Sequence, residues 1–176
     1  RIEDIVKKEN VWMISIDETG GKRVKTTSSI RKVPVHPTLI SLGFIDYVKI
    51  IKSKGFDRVF PELTKQRDGY SQKISQHYNE KFLPSIGIWE KQVKVLYSTR
   101  HTFINRCYNK GVDRDILKSI VGHEPDFTMD VYGGNPFTPK QLYNEILKVS
   151  YSKIRWDRLK VDWKKLIGTN DTWWEN

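Results

Sequence analysis

The apolar run Val11-Trp12-Met13-Ile14 continues through Ser15-Ile16-Asp17, which sets Trp12, Ile14 and Ile16 on one face at strand spacing and predicts a β-strand. Glu18-Thr19-Gly20-Gly21-Lys22 is a turn signal, after which Arg23-Val24-Lys25-Thr26 is predicted to pair back as a second strand. Arg31-Lys32-Val33-Pro34-Val35 predicts a third strand at a sheet edge, because Pro34 has no N–H to give to a ladder. A small antiparallel sheet is therefore expected over residues 11–35.

The period then becomes helical. Leu39, Ile40, Phe44, Tyr47, Val48 and Ile51 form one stripe, interrupted at Gly43. Residues 54–69 read as a connection, and a helix is predicted from about Tyr70 to Phe82, ended by Pro84 and Gly87. The next runs over 98–110, closed by Gly111. Asp113 is an N-cap for a helix with Ile116, Leu117, Ile120 and Val121 on one face. Thr138-Pro139-Lys140-Gln141 resembles a capping box ahead of Leu142, Ile146 and Leu147. The expected class is α+β, mostly helical, with a small antiparallel sheet near the N-terminus.

Residues 1–150 read as one domain and 151–176 as a tail. In the tail Ile154, Trp156, Leu159, Trp163 and Leu166 stand among charged residues, with Trp173-Trp174 near the end. Tryptophan is costly to leave in water, so the tail must dock, either on its own domain or on a neighbouring protomer.

Charge narrows the partner. Lys and Arg outnumber Asp and Glu by 31 to 21, giving +10 and a pI near 9.6, which favours a polyanion. No apolar run approaches the roughly 20 residues of a membrane span. A single cysteine, Cys107, suits a reducing cytoplasm. The chain opens on Arg1-Ile2-Glu3-Asp4-Ile5 without initiator Met or signal peptide, which reads as the trimmed end of a larger protein. His36, His77, His101, His123 and Cys107 lack zinc-ligand spacing, no Walker or dinucleotide loop occurs, and the acidic residues are scattered. Any cleavage is expected to need no metal and no cofactor.

Three ordered elements carry the chemistry. They are Tyr97-Ser98-Thr99-Arg100-His101-Thr102-Phe103, then Ile120-Val121-Gly122-His123, then Thr128-Met129-Asp130-Val131-Tyr132-Gly133-Gly134, with Tyr132 nine residues after His123. This pattern resembles the catalytic domain of the tyrosine recombinases, the integrases of phages and genomic islands. Metal-free cleavage of a phosphodiester needs a nucleophile, charge neutralisation at phosphorus and a proton for the leaving 5′ oxygen. The barrier to be removed is on the order of 20 kcal/mol, beyond any one residue.

The resemblance implies Tyr132 as nucleophile, forming a 3′-phosphotyrosine that is rejoined without ATP. Arg100 suits the phosphate clamp, because a guanidinium donates a planar fork and stays charged. His123 is implied as hydrogen-bond donor to a non-bridging oxygen or carrier of the Tyr132 proton. Lys25 is the candidate general acid. Alternatively Lys25, Arg23, Arg31 and Lys32 all simply contact the DNA backbone. Tyr97 stands where the family usually has His, so proton transfer would rest on Lys25 and His123. His101 is expected to pack beside Arg100 and position it, near the DNA.

The family's other arginine lies in a G-x-R-x-x-E-[LI] box. Arg1-Ile2-Glu3-Asp4-Ile5 matches better the later R-x-x-D-I segment that leads into the sheet, which implies that this arginine lies upstream and that the fragment binds DNA yet cuts poorly. The implied partner is double-stranded DNA at attachment sites, with a homo-tetramer held through the tail, or a monomer when alone. Two other functions use the same residues. One is a DNA-binding module with a relict site, and the other is relaxation of supercoiled DNA by a type IB topoisomerase.

Overall fold

A computed structural model of the chain describes residues 1–24, 26, 29–88, 90, 93–123 and 136–168. Ile5–Lys8 (β1) and Val11–Ile16 (β2) pair antiparallel, with Lys8 opposite Val11. Only Glu9 and Asn10 separate them, and both have positive φ, 46° and 63°. Such backbone matches the twist of a two-residue hairpin, and asparagine tolerates it better than most residues. Arg31–Pro34 (β3) takes the other side of β2, giving the order β1-β2-β3.

The sheet thus starts at residue 5 and not at 11. Arg23–Thr26 is no strand in its described part, because β1 and β3 already occupy both edges of β2. Pro34 does lie on an edge strand, opposite Met13. The deeply buried side of β2 is Val11 and Met13, whereas Trp12, Ile14 and Ile16 are half-buried. Lys7 lies over the Trp12 ring at 5.9 Å, which covers an apolar face with a lysine stem.

The predicted stripe 39–51 is two helices, Pro37–Ser41 (α1) and Phe44–Ser53 (α2), broken at Gly43 with φ 88°. His36 caps α1 by accepting the Thr38 amide on Nδ1, and its Nε2 is 2.8 Å from the Val149 carbonyl. The predicted helix near 70–82 runs as Gln72–His77 (α3), a π-helical turn Tyr78–Phe82, and Leu83–Ser85 (α4). Pro84 therefore sits inside the helical run rather than ending it. Its ring would strike a carbonyl four residues back in α geometry, and a widened turn relieves that clash.

Ser98–Asn109 (α5), Arg114–Val121 (α6) and Pro139–Ile146 (α7) lie where the caps predicted them. The Asp113 side chain accepts from the Asp115 and Ile116 amides, and Thr138 and Gln141 form the reciprocal capping box. Trp163–Ile167 (α8) completes the described helices. The fold is mixed α+β, with a small three-stranded antiparallel sheet. No described helix is long and apolar enough to cross a membrane.

Two apolar cores hold it. The larger joins Val11 and Met13 to Cys107, Ile116, Leu117, Ile120, Val121, Leu142, Ile146 and Val149. Each fully buried aliphatic side chain contributes roughly 1.5–3 kcal/mol of transfer free energy. Burial here raises the Cys107 thiol to about 11, so it is an inert packing group. The second core joins Ile2, Tyr47, Val48, Ile51, Val59 and Ile167, and so includes the tail.

The tail packs on its own chain through Trp163. Its ring is 4.9 Å from that of Tyr47, and its indole N–H donates to the Leu42 carbonyl at 3.3 Å. A methyl group on Gly43 would come within 2.9 Å of that indole nitrogen. Gly43→Ala should therefore cost ~2 kcal/mol, from left-handed strain and a displaced Trp163. Urea denaturation followed by tryptophan fluorescence measures it, and an unchanged midpoint would show the contact is dispensable.

Candidate active site

The first turn of α5, the last turn of α6 and the start of β3 meet at one place. Arg100 donates from Nη2 to the Val121 carbonyl at 2.8 Å. Arg31 donates from Nε to the Ile120 carbonyl at 3.0 Å and from Nη1 to the Ser29 carbonyl at 2.7 Å. Two guanidinium groups thus end on consecutive carbonyls of one helix terminus. A helix C-terminus carries about half a negative charge on such unsatisfied carbonyls, which favours cations there.

Gly122 ends α6 in the left-handed region with φ 70°. The next amide, that of His123, donates back to the Lys118 carbonyl at 3.1 Å, the six-to-one closure of a Schellman cap. This reversal leaves the His123 side chain exposed immediately after the carbonyls that hold the arginines. A Cβ on Gly122 would lie 2.7 Å from Arg31 Nη1 and 3.0 Å from its Cζ. Glycine is required twice over, for the turn and for the arginine lying on it.

Arg31 is half-buried, and burial together with the nearby Arg100 charge lowers its pKa. Among the described residues no carboxylate forms an ion pair with Arg31 or Arg100. Among the described residues the site is a concentration of positive charge offset by backbone carbonyls of the α6 end and of Ser29.

The other expected residues are placed differently. Tyr97 is 64% exposed at the N-cap of α5, and its ring meets His101 edge-on at 5.4 Å. The ring contact that His101 makes is with Tyr97. Adjacent helix positions diverge by about 100°, and an i, i+4 partner was available in Tyr97. The Arg100 amide donates to the Tyr97 carbonyl at 3.1 Å in the opening turn of α5, but among the described residues no side-chain hydrogen bond or ring contact joins this pair to Arg100 or His123. His101 lines a shallow depression with Thr102, Ile104, Asn105 and Tyr108.

Arg23 is exposed on the β2–β3 connection, and Lys32 is half-buried in β3, where contact with Lys8 and partial burial lower its pKa. Lys25 and Tyr132 lie outside the described residues, as do Thr128–Gly134 and Trp173-Trp174. A groove of about 780 Å³ between α2 and the tail, lined by Gly43, Asp46, Lys49 and Trp163, contains none of these residues.

Lys22 is a residue that pattern alone left as part of a turn. Its ammonium bridges Asp4 and Asp17, the latter at 2.7 Å, and so pins the loop that goes on to Arg23 and Lys25. Hydrogen bonds from Lys22, Thr19 and Ser15 hold the Asp17 carboxyl well below its ordinary 3.8. Burial alone would raise Asp4, but hydrogen bonds from Lys22 and the amino terminus outweigh it and lower the group. Nothing in the sequence joins residues 4, 17 and 22 except their distance after folding. Arg31 is the same case, standing 89 positions before Ile120.

No family model, curated protein or solved structure matches the chain.

Two outcomes follow from this geometry. Gly122→Ala should lower thermal stability by roughly 1–3 kcal/mol, through left-handed strain and expulsion of the Arg31 guanidinium. Calorimetry reads the change, and a neutral result would remove the close approach of Arg31. Carboxyls with depressed pKa give stability that is complete above about pH 4 and is lost as pH falls through the folded values. Asp17→Asn should accordingly flatten the fall of Tm below about pH 4. An acid profile identical to wild type would show that the Asp17 carboxylate contributes no charge pair with Lys22.

Proposed function

We propose that this chain carries the strand-cleaving domain of a tyrosine recombinase, which cuts and rejoins double-stranded DNA through Tyr132. The observation that supports this reading is the meeting of Arg100 with the Val121-Gly122-His123 turn, across 21 residues of sequence. Two of the three elements that resemble the family adjoin in space. They do so with a guanidinium and an imidazole on neighbouring carriers, as a metal-free phosphoryl site requires.

In this reading Arg100 donates its free N–H groups to the non-bridging oxygens of the scissile phosphate and neutralises charge at phosphorus. The phenolic oxygen of Tyr132 attacks phosphorus while the bond to the 5′ oxygen breaks. The tyrosine proton leaves by way of His123 or solvent, and Lys25 supplies a proton to the departing 5′ oxygen. The 3′-phosphotyrosine keeps the phosphodiester energy. Rejoining runs the same steps backwards, with a 5′-hydroxyl attacking and Tyr132 regaining its proton.

Tyr97 and His101 form an exposed aromatic pair one turn along α5, suited to the DNA backbone beside the cut. Assembly as a tetramer on DNA belongs to the same reading. Ile167 is buried and Trp163 half-buried in their own chain, which leaves the exposed Leu159 and Leu166 of the tail for a second protomer.

Incubation with a pool of nicked duplexes of randomised sequence should trap a covalent protein–DNA adduct, resolved on a denaturing gel. Tyr132→Phe should abolish it, and Arg100→Lys should slow its formation by about 10²-fold. An adduct that persists in Tyr132→Phe rejects Tyr132 as nucleophile. Retained DNA binding with no adduct, also in a chain extended upstream to restore the missing arginine, makes the chain a binding module instead.

A further inference from the structure

Arg31 was expected only to touch the DNA backbone, yet it reaches the same helix end as Arg100. It commits Nε and Nη1 to the Ile120 and Ser29 carbonyls, and Arg100 commits Nη2 to the Val121 carbonyl. Each guanidinium has five N–H donors. Arg31 therefore keeps Nη2, and Arg100 keeps Nε and Nη1, with no partner among the described residues. The anchored donors fix both planar groups, so the remaining donors are pre-positioned rather than mobile.

Two like charges close together at a half-buried site repel, and the half charge of a helix C-terminus offsets only part of two full charges. The Gly122 backbone has been left bare so that Arg31 can lie against it, which fixes the distance between this cation and the His123 turn.

We propose that Arg31 and Arg100 together form a two-guanidinium clamp for a single phosphate group, a backbone phosphodiester of double-stranded DNA, with Arg31 bonding it directly. This rests on the reading of the site as a DNA-cleaving one. It assigns Arg31 to the same phosphate as Arg100 instead of to a neighbouring stretch of backbone. The clamp approaches a phosphate from two elements, β3 and α5, and so fixes its orientation as well as its charge.

The test uses the whole chain labelled with ¹⁵N at arginine. Side-chain Nε–H resonances are assigned with Arg31→Lys and Arg100→Lys, and are followed during titration first with inorganic phosphate, then with a short DNA duplex. The Arg31 and Arg100 resonances should move together with one dissociation constant, and duplex DNA should displace the phosphate. Arg31→Lys keeps the charge but loses the fork, and should weaken phosphate binding about tenfold while its amide spectrum stays folded. Arg31→Gln should reduce the slope of log K against log salt for duplex binding by about 0.9, the loss of one phosphate contact.

Movement of Arg100 with a static Arg31 overturns the clamp and leaves Arg31 a structural tie. Two static resonances also overturn it. Binding of inorganic phosphate that duplex DNA does not displace rejects DNA as the source of the phosphate. These readouts do not depend on strand cleavage. Joint movement without a Tyr132 adduct would keep the clamp and reject the cleavage reading, and an adduct with a static Arg31 would do the reverse.

Discussion

The C-terminal end of α6 is where the rest of the molecule is tied together. Its last carbonyls, on Ile120 and Val121, accept hydrogen bonds from arginines that come from β3 and from α5. The same two residues have their side chains in the main core with Met13, Leu117 and Leu142. One turn of helix therefore fixes apolar packing on one side and cationic chemistry on the other. The turn can do both only because Gly122 reverses the chain at once and leaves room for a guanidinium. A residue with a side chain there would strain the backbone and push Arg31 away.

Around that point the fold is built as two cores, with a sheet whose edges are both occupied. β2 is flanked by β1 and β3, so the described part of the connection between β2 and β3 stays outside the ladder. That connection begins with a bound aspartate, lysine and threonine, so its entry is fixed before it reaches Arg23. At the other end of the molecule Trp163 and Ile167 close the second core against α2. The tail thus helps to hold the domain and is not a free appendage over that stretch.

For a phosphate-handling site the arrangement has clear physical merits. Guanidinium groups stay charged across the whole usable pH range, and planar forks match the tetrahedral oxygens of a phosphate. Anchoring part of each fork on backbone carbonyls lowers the entropy lost when a ligand arrives. An exposed histidine immediately after the same turn adds a group that can donate or carry a proton. These features suit the reading of the chain as a tyrosine recombinase domain, whose nucleophile would have to approach this turn from Tyr132.

Local signals in the sequence determined α5, α6 and α7 and their ends. Asp113, Thr138 and Gln141 cap where their chemistry requires, Gly111 and Gly122 stop helices, and Pro34 keeps its strand at an edge. All of these act within a few residues, which is why they can be read without a structure. Spacing also brought out Arg100, His123 and Tyr132 as a set, although spacing alone cannot say which groups touch. Tertiary structure decided which strand pairs with β2, because competition for two edges is settled by the whole sheet and not by any one segment. It also decided which face of β2 is buried, since α6 and α7 choose that face by packing on it. Above all it joined Arg31 to Ile120, Lys22 to Asp4 and Trp163 to Leu42, pairs whose partners are far apart along the chain. Such contacts depend on closing long loops around an apolar core. No local pattern of residues records that.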